Sequence, residues 1–382
     1  MIPYGRQDIS EQDIAAVVSV LRSDFLTQGP VVPAFERALA ELTGARHAVA
    51  VNSATSALHV ACLAIGLGPG DLLWTVPNTF LASANCARYC GADVGFVDID
   101  PDTWNMCGTA LAHRLAEAER AGRLPKIVVP VAFGGQSCDM RAIKALAVRY
   151  GFAVIEDASH AVGATYAGRP VGCGDFADIT IFSFHPVKIV TTAEGGMAMT
   201  QDDRLATRMQ LFRSHGMTRD PALMENESEG SWYYEQIELG YNYRMTELQA
   251  ALGLNQLKRL KQFVDRRHQI AERYALQLQG LPLDTQKSLA DAHSALHLYP
   301  VRLHDTQRRR AVFDALRGAG IGVNVHYIPV HLQPYYRRLG FANGDFPEAE
   351  AYYACAITLP MYSDLTEAMQ DQVVGALKAV LR

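Results

Sequence analysis

The sequence predicts an α/β fold built on a mostly parallel central sheet, with a smaller α+β domain at its C-terminal end, and three observations lead there. Short apolar runs recur between residues 45 and 200, helical patterns separate them, and the chain changes character beyond residue 241. Short apolar runs bounded by turn residues suit buried strands, and amphipathic segments between them suit the helices that cover such a sheet.

The runs are "HAVAVN" from His47, "LLWTVP" from Leu72, "VGFVDID" from Val94, "KIVVPV" from Lys126, "FAVIEDA" from Phe152, "ITIFSF" from Ile179 and "GGMAMT" from Gly195. Between the first two, Leu58, Ala61, Cys62 and Ile65 fall at helical spacing. Residues 213 to 241 are polar, Gly-bearing and aromatic, too long for an ordinary connection, and read as a lid or contact surface. Thr246 and Gln249 then form a capping-box pattern, opening helical sequence that continues to Gln279 before Gly280. The domain boundary is placed inside that helix, giving a large domain over 1–258 and a small one over 259–382. In the small domain "HLYPVRL" and "IGVNVHYIPV" read as strands, and a last helix runs from Glu367 to Arg382.

Composition excludes several classes. With 49% hydrophobic residues in 382, the chain can bury a large core, and a net charge of -5 leaves no basic footprint for nucleic acid. The longest apolar segments, such as "KIVVPVAF", are too short to span a membrane, and no basic stretch followed by an apolar run opens the chain. Seven scattered cysteines without a CxxC pair read as reduced thiols, so a cytoplasmic setting is expected. No HExxH motif is present, and no metal site is expected.

Three features are placed to do chemistry. "NSATSALHVACLAIGL", from Asn52, opens a helix at the end of a strand, where free N–H groups favour an anion; an ordinary helix cap gives the same pattern. "FAVIEDASHA" delivers Glu156 and Asp157 at a strand end, where α/β sheets bind ligands, although a helix-capping Asp reads identically. "SFHPVKIVTTAEGG" puts Lys188 just past another apolar strand, costly unless the amine is paired or modified, or unless it snorkels to water. Neither GxGxxG nor a Walker loop occurs. A phosphate cradle, a carboxylate and a lysine in that order are the parts that hold pyridoxal phosphate by its phosphate, ring nitrogen and aldehyde.

Across essentially its whole length the sequence resembles the pyridoxal-phosphate-dependent nucleotide-sugar aminotransferases of the DegT class. The stretches that carry the resemblance are "SFHPVKIVTTAEGG", "LFRSHGMTRD", "GYNYRMTELQAALGLNQL" and "ALHLYPVRL". The resemblance implies the fold-type-I, aspartate-aminotransferase-like architecture. Within the class these stretches are similar to the branch that aminates a UDP-linked 4-keto-6-deoxy-N-acetylhexosamine in pseudaminic acid biosynthesis, with L-glutamate as donor.

Carried over by motif, the resemblance makes Lys188 the residue that binds the cofactor aldehyde and Asp157 the partner of the ring nitrogen. Phe80 would stack on the ring, and Ala54, Thr55 and Ser183 would hold the phosphate. Asn242 would reach the phosphate of the neighbouring subunit, which implies a homodimer with shared active sites. His160 stands where the class commonly has Gln, and can still donate to the ring hydroxyl oxygen. Tyr4, the stretch Asp24, Phe25, Leu26 and Thr27, and the pair His326 and Tyr327 would face the sugar nucleotide, sheet packing being the alternative for that pair. A different UDP- or dTDP-keto-sugar is the nearest alternative substrate. The dehydratase branch of the fold carries histidine in place of the lysine, and a non-catalytic binding or regulatory protein would be expected to lack bound cofactor.

Overall fold

The computed structural model describes residues 1–381. All seven predicted runs are strands of one sheet. From edge to edge they are ordered His47–Val51, Gly196–Thr200, Ile179–Ser183, Ala153–Asp157, Ile127–Val128, Leu72–Thr75 and Asp93–Phe96. Gly196–Thr200 runs antiparallel to both neighbours, and the other pairs are parallel.

That topology gathers the candidate residues at one end of the sheet. Val51, Asp157 and Ser183 are the last residues of their strands, and Gly196 is the first residue of the one reversed strand. Gly196 pairs with both Val51 and Ser183. Helix Ala54–Ile65 leaves from this end, capped by Ser53, whose hydroxyl accepts from the Ser56 amide at 3.1 Å. Its interior face is almost wholly buried against the sheet, which explains why so apolar a segment forms a helix without a polar face.

The C-terminal region has its own core of Ile270, Tyr274, Val301, Val312, Ile357 and Val373, around an antiparallel sheet of Leu283–Thr285, Tyr299–Leu303 and Ala356–Leu359. Ile2 joins this core, and backbone hydrogen bonds tie it to Gly320 and Gly322, so the chain's start is held by its C-terminal region.

Two expectations are corrected. "IGVNVHYIPV" is not a strand: Ile321 and Asn324 make isolated bridges to Ile2 and Thr358, and the rest is irregular. Ile321, Val323 and Val330 are buried in the cores, Val325 lines the cavity at the strand ends, and Ile328 is exposed. The helix from Thr246 is two helices, Glu247–Leu257 and Leu260–Gln277, because Arg259 adopts φ -104 and ψ 3 and breaks the run. The capping box at Thr246 and Gln249 is present as read. We propose the domain division at this break, between 258 and 259, although Leu260 and Phe263 still reach into the large core. The segment 213–241 carries a short hairpin, Met217–Thr218 with Glu235–Gln236. The last helix is Glu367–Leu381, and Arg382 lies outside the described residues.

Candidate active site

A cavity of about 600 Å³ opens at the gathered strand ends. Ten of the residues singled out from sequence line it: Tyr4, Ala54, Thr55, Phe80, Asp157, His160, Ser183, Lys188, His326 and Tyr327. Asn242 and Asp24, Phe25, Leu26 and Thr27 do not. Asn242 bridges Ser214 in the hairpin region, Thr27 bridges Thr246, and Phe25 and Leu26 are about half exposed on the surface.

Asp157 is buried at the cavity wall with both carboxylate oxygens engaged. Oδ2 accepts from the Ser83 hydroxyl at 2.6 Å, and Oδ1 accepts from the Ser159 hydroxyl and amide at 2.5 and 3.1 Å. These donors fix its orientation. Its neighbour Glu156 alternates to the other face of the strand, where burial pushes its pKa up to about 7 against hydrogen bonds from Ser137 and Thr180. The strand thus sends one carboxylate to the cavity and hides the other.

Lys188 follows the strand that ends at Ser183, in a turn closed by its own amide donating to the His185 carbonyl. The residue is half-buried, with its amine inside the cavity. Burial pulls its pKa down to about 8, opposed by the Asp157 charge. No hydrogen bond from the protein contributes to that balance.

The cradle at the start of helix Ala54–Ile65 is shaped by a glycine. A Cβ on Gly196 would stand 2.5 Å from the Ala54 nitrogen and from the Ser53 carbonyl carbon, so only glycine lets the reversed strand approach this helix start. The Ser53 hydroxyl faces the Ser56 amide, and the Ser56 hydroxyl donates to Asn52, which leaves the Ala54 and Thr55 amides facing the cavity.

Histidines form the opposite wall. His160 Nδ1 accepts from the Gly134 amide at 3.3 Å; since an amide only donates, the neutral ring carries its proton on Nε2, 3.1 Å from the Tyr327 hydroxyl. Burial, then the charges of Lys188 and His326, hold the His160 pKa well below the usual value. His297 packs on His160 with centroids 4.5 Å apart, and its Nδ1 has no partner. His326 is pushed down to about 3 by burial and then by Lys188, so these rings stay neutral beside the amine. Phe80 is 59% exposed at the rim, a large ring that a stacked ligand would cover.

Sequence reasoning missed Ser83, Ser159, Glu194 and His297. Ser159 was detectable, two residues from Asp157 in an Asx-type turn. Glu194 and His297 line the cavity, whereas Ser83 meets it only through Asp157.

The geometry suits pyridoxal phosphate. Free amides at a helix start match a phosphate, an oriented buried carboxylate matches a ring nitrogen, and an unpartnered amine of lowered pKa matches an aldehyde.

Residues 7–378 match the DegT/DnrJ/EryC1/StrS aminotransferase family. The chain is 41% identical over 387 residues to the spore coat polysaccharide biosynthesis protein SpsC of Bacillus subtilis, covering 100% of this chain and 97% of that one. Among solved structures, it superposes with a TM-score of 0.91 on Spr1654 of Streptococcus pneumoniae, a candidate sugar aminotransferase solved in PMP and PLP forms. Identity there is 32%, over 100% of this chain and 99% of that one. It also superposes with a TM-score of 0.91 on Helicobacter pylori PseC, an aminotransferase involved in the biosynthesis of pseudoaminic acid. That match is at 31% identity, over 100% and 99% of the two chains.

Proposed function

Since the chain belongs to the DegT/DnrJ/EryC1/StrS aminotransferase family, a family of pyridoxal-phosphate-dependent sugar aminotransferases, we propose that it aminates C4 of a UDP-linked 4-keto-6-deoxy-N-acetylhexosamine. L-glutamate is the donor, and the product enters pseudaminic acid biosynthesis. The observation that carries the reading is the convergence of the Lys188 amine, the Asp157 carboxylate and the helix start at Ala54 on one cavity. The likeness to PseC supports the sugar.

Bound there, pyridoxal phosphate supplies an electron sink for the carbanion at the donor's α carbon. Asp157, oriented by Ser83 and Ser159, would face the ring nitrogen and hold a proton there. The Ala54 and Thr55 amides and the Ser183 hydroxyl would hold the phosphate. His160, whose Nε2–H faces the Tyr327 hydroxyl in this structure, would turn that donor toward the ring hydroxyl oxygen, and Phe80 would cover a ring face. The Lys188 amine is placed to hold the cofactor's aldehyde and, when freed by the donor's amine, would act as the general base that takes the donor's α-proton. A pKa near 8 suits both tasks. Tyr4, His326 and Tyr327 line the part of the cavity open to the sugar, and Asp24 to Thr27 and Asn242 complete the site of a partner subunit in a homodimer. Seven free thiols support a reducing, cytoplasmic setting.

The likeness to SpsC favours a second reading, a different UDP- or dTDP-keto-sugar destined for a surface polysaccharide. Glutamate should bleach the enzyme's visible cofactor absorption, and a panel of UDP- and dTDP-linked 4-keto-6-deoxy sugars then tests the acceptor. Recovery of the absorption with the UDP-N-acetyl sugar supports the first reading; recovery with a dTDP sugar alone refutes it in favour of the second.

A further inference from the structure

A second cavity, of about 510 Å³, lies at the far edge of the central sheet, where Leu72–Thr75 pairs with the edge strand Asp93–Phe96. Three arginines line it, Arg88, Arg114 and Arg123, against Asp93 and Glu117. Asp93 is already shared: Arg88 and Arg123 donate to its two oxygens at 3.2 and 2.7 Å. Arg114 is left over. Its guanidinium stacks on the Trp74 ring at 4.6 Å, and burial lowers its pKa while Glu117 only partly opposes this. Among the described residues it makes no ion pair.

Trp74 presents the same deficit. It is 2% exposed, it lines this cavity, and its indole N–H has no acceptor. Buried indole donors normally find a partner. Gly95, paired with Trp74 across the two strands, brings the donors together: a Cβ there would lie 2.9 Å from both Trp74 Nε1 and Arg114 Nη2. Two donors therefore meet over one glycine with no acceptor between them, one of them cationic and both partly desolvated. An acceptor oxygen satisfies both at once, and an anionic one also balances the guanidinium charge. Leu339 and Phe341 supply an apolar wall beside it.

We propose that this edge cavity is a second, non-catalytic site that binds a small anion, a phosphate or carboxylate group, through Arg114 and the Trp74 indole N–H. The site lies outside the cofactor cavity and shares no lining residue with it.

The test is calorimetric titration of the holoenzyme, whose own phosphate cradle is filled, with inorganic phosphate and separately with acetate, at ionic strength held constant with chloride. Saturable binding of either anion is expected, and which one binds separates a phosphate ligand from an organic acid. Arg114→Met, which keeps a cover on the indole but removes the charge, should weaken binding about tenfold, as loss of a charge-assisted hydrogen bond does. Trp74→Phe should weaken it several-fold, with visible cofactor absorption retained as the check on folding, so it decides the matter if Arg114→Met does not fold. Absence of saturable binding beyond chloride, or unchanged affinity in the folded variants, overturns the proposal.

Discussion

At the residue scale, function turns on how a charge is made tolerable. The Lys188 amine sits in the cavity without a protein hydrogen bond, and its pKa of about 8 follows from burial outweighing the Asp157 charge. Below that value the amine is protonated and cannot attack an aldehyde; above it the free pair is available. The rate at which apoenzyme captures pyridoxal phosphate should therefore rise with pH and level off above about 8, read from growth of visible absorption. A rise continuing to about pH 10, the range of an ordinary lysine, would show that burial does not tune the amine. Lys188→Ala should fold, lose the lysine-dependent absorption and stop turning over. Asp157 makes a second case. Ser83→Ala removes the 2.6 Å donor to Oδ2 while leaving Ser159 on Oδ1. Transamination should fall about tenfold with the cofactor retained; an unchanged rate would mean that Ser159 alone orients the carboxylate. Lys188 and Asp157 were legible in the sequence because each stands at the end of an apolar run. Ser83 was not, because it meets Asp157 across 74 residues of chain, and nothing in "LASAN" announces that contact.

At the element scale, the sheet was legible because every strand is a compact apolar run, most of them separated from the next by a helix. The failures share a cause. "IGVNVHYIPV" alternates like a strand, but its neighbours Ile2 and Thr358 pair with it at single positions, so pattern without a partner left it irregular. The break at Lys258 and Arg259 is invisible to periodicity, since both are good helix formers and the apolar spacing resumes at once. Gly196 shows how an element boundary becomes a binding feature. The reversed strand can lie against the start of helix Ala54–Ile65 only without a side chain there. Gly196→Ala should push backbone against backbone, costing about 1–3 kcal/mol of stability as overpacking does. Because the atoms displaced include the Ala54 nitrogen, cofactor affinity should fall as well. A loss of melting temperature with unchanged cofactor affinity would show that the cradle does not depend on this contact.

At the scale of the whole molecule, some residues read from sequence as site residues lie outside the cavity of the single chain. Asn242 and the stretch from Asp24 to Thr27 do not line it, and Phe25, Leu26, Trp232 and Leu239 are exposed apolar side chains. Apolar surface of this kind marks an interaction face. The aromatic, polar segment 213–241 could be read from sequence as a contact surface, but no sequence pattern says which subunit's site a residue serves, because that depends on a symmetry axis rather than on the chain. A mixing experiment decides it. Lys188→Ala and Asn242→Ala are each expected to be nearly inactive alone. If Asn242 completes the partner's site, a mixed dimer holds one site carrying both changes and one carrying neither. Random exchange of equal amounts makes about half the dimers mixed, each with one intact site, so activity should return to roughly a quarter of the wild-type level. If Asn242 serves its own subunit, every site in every dimer carries one of the two changes and mixing restores nothing.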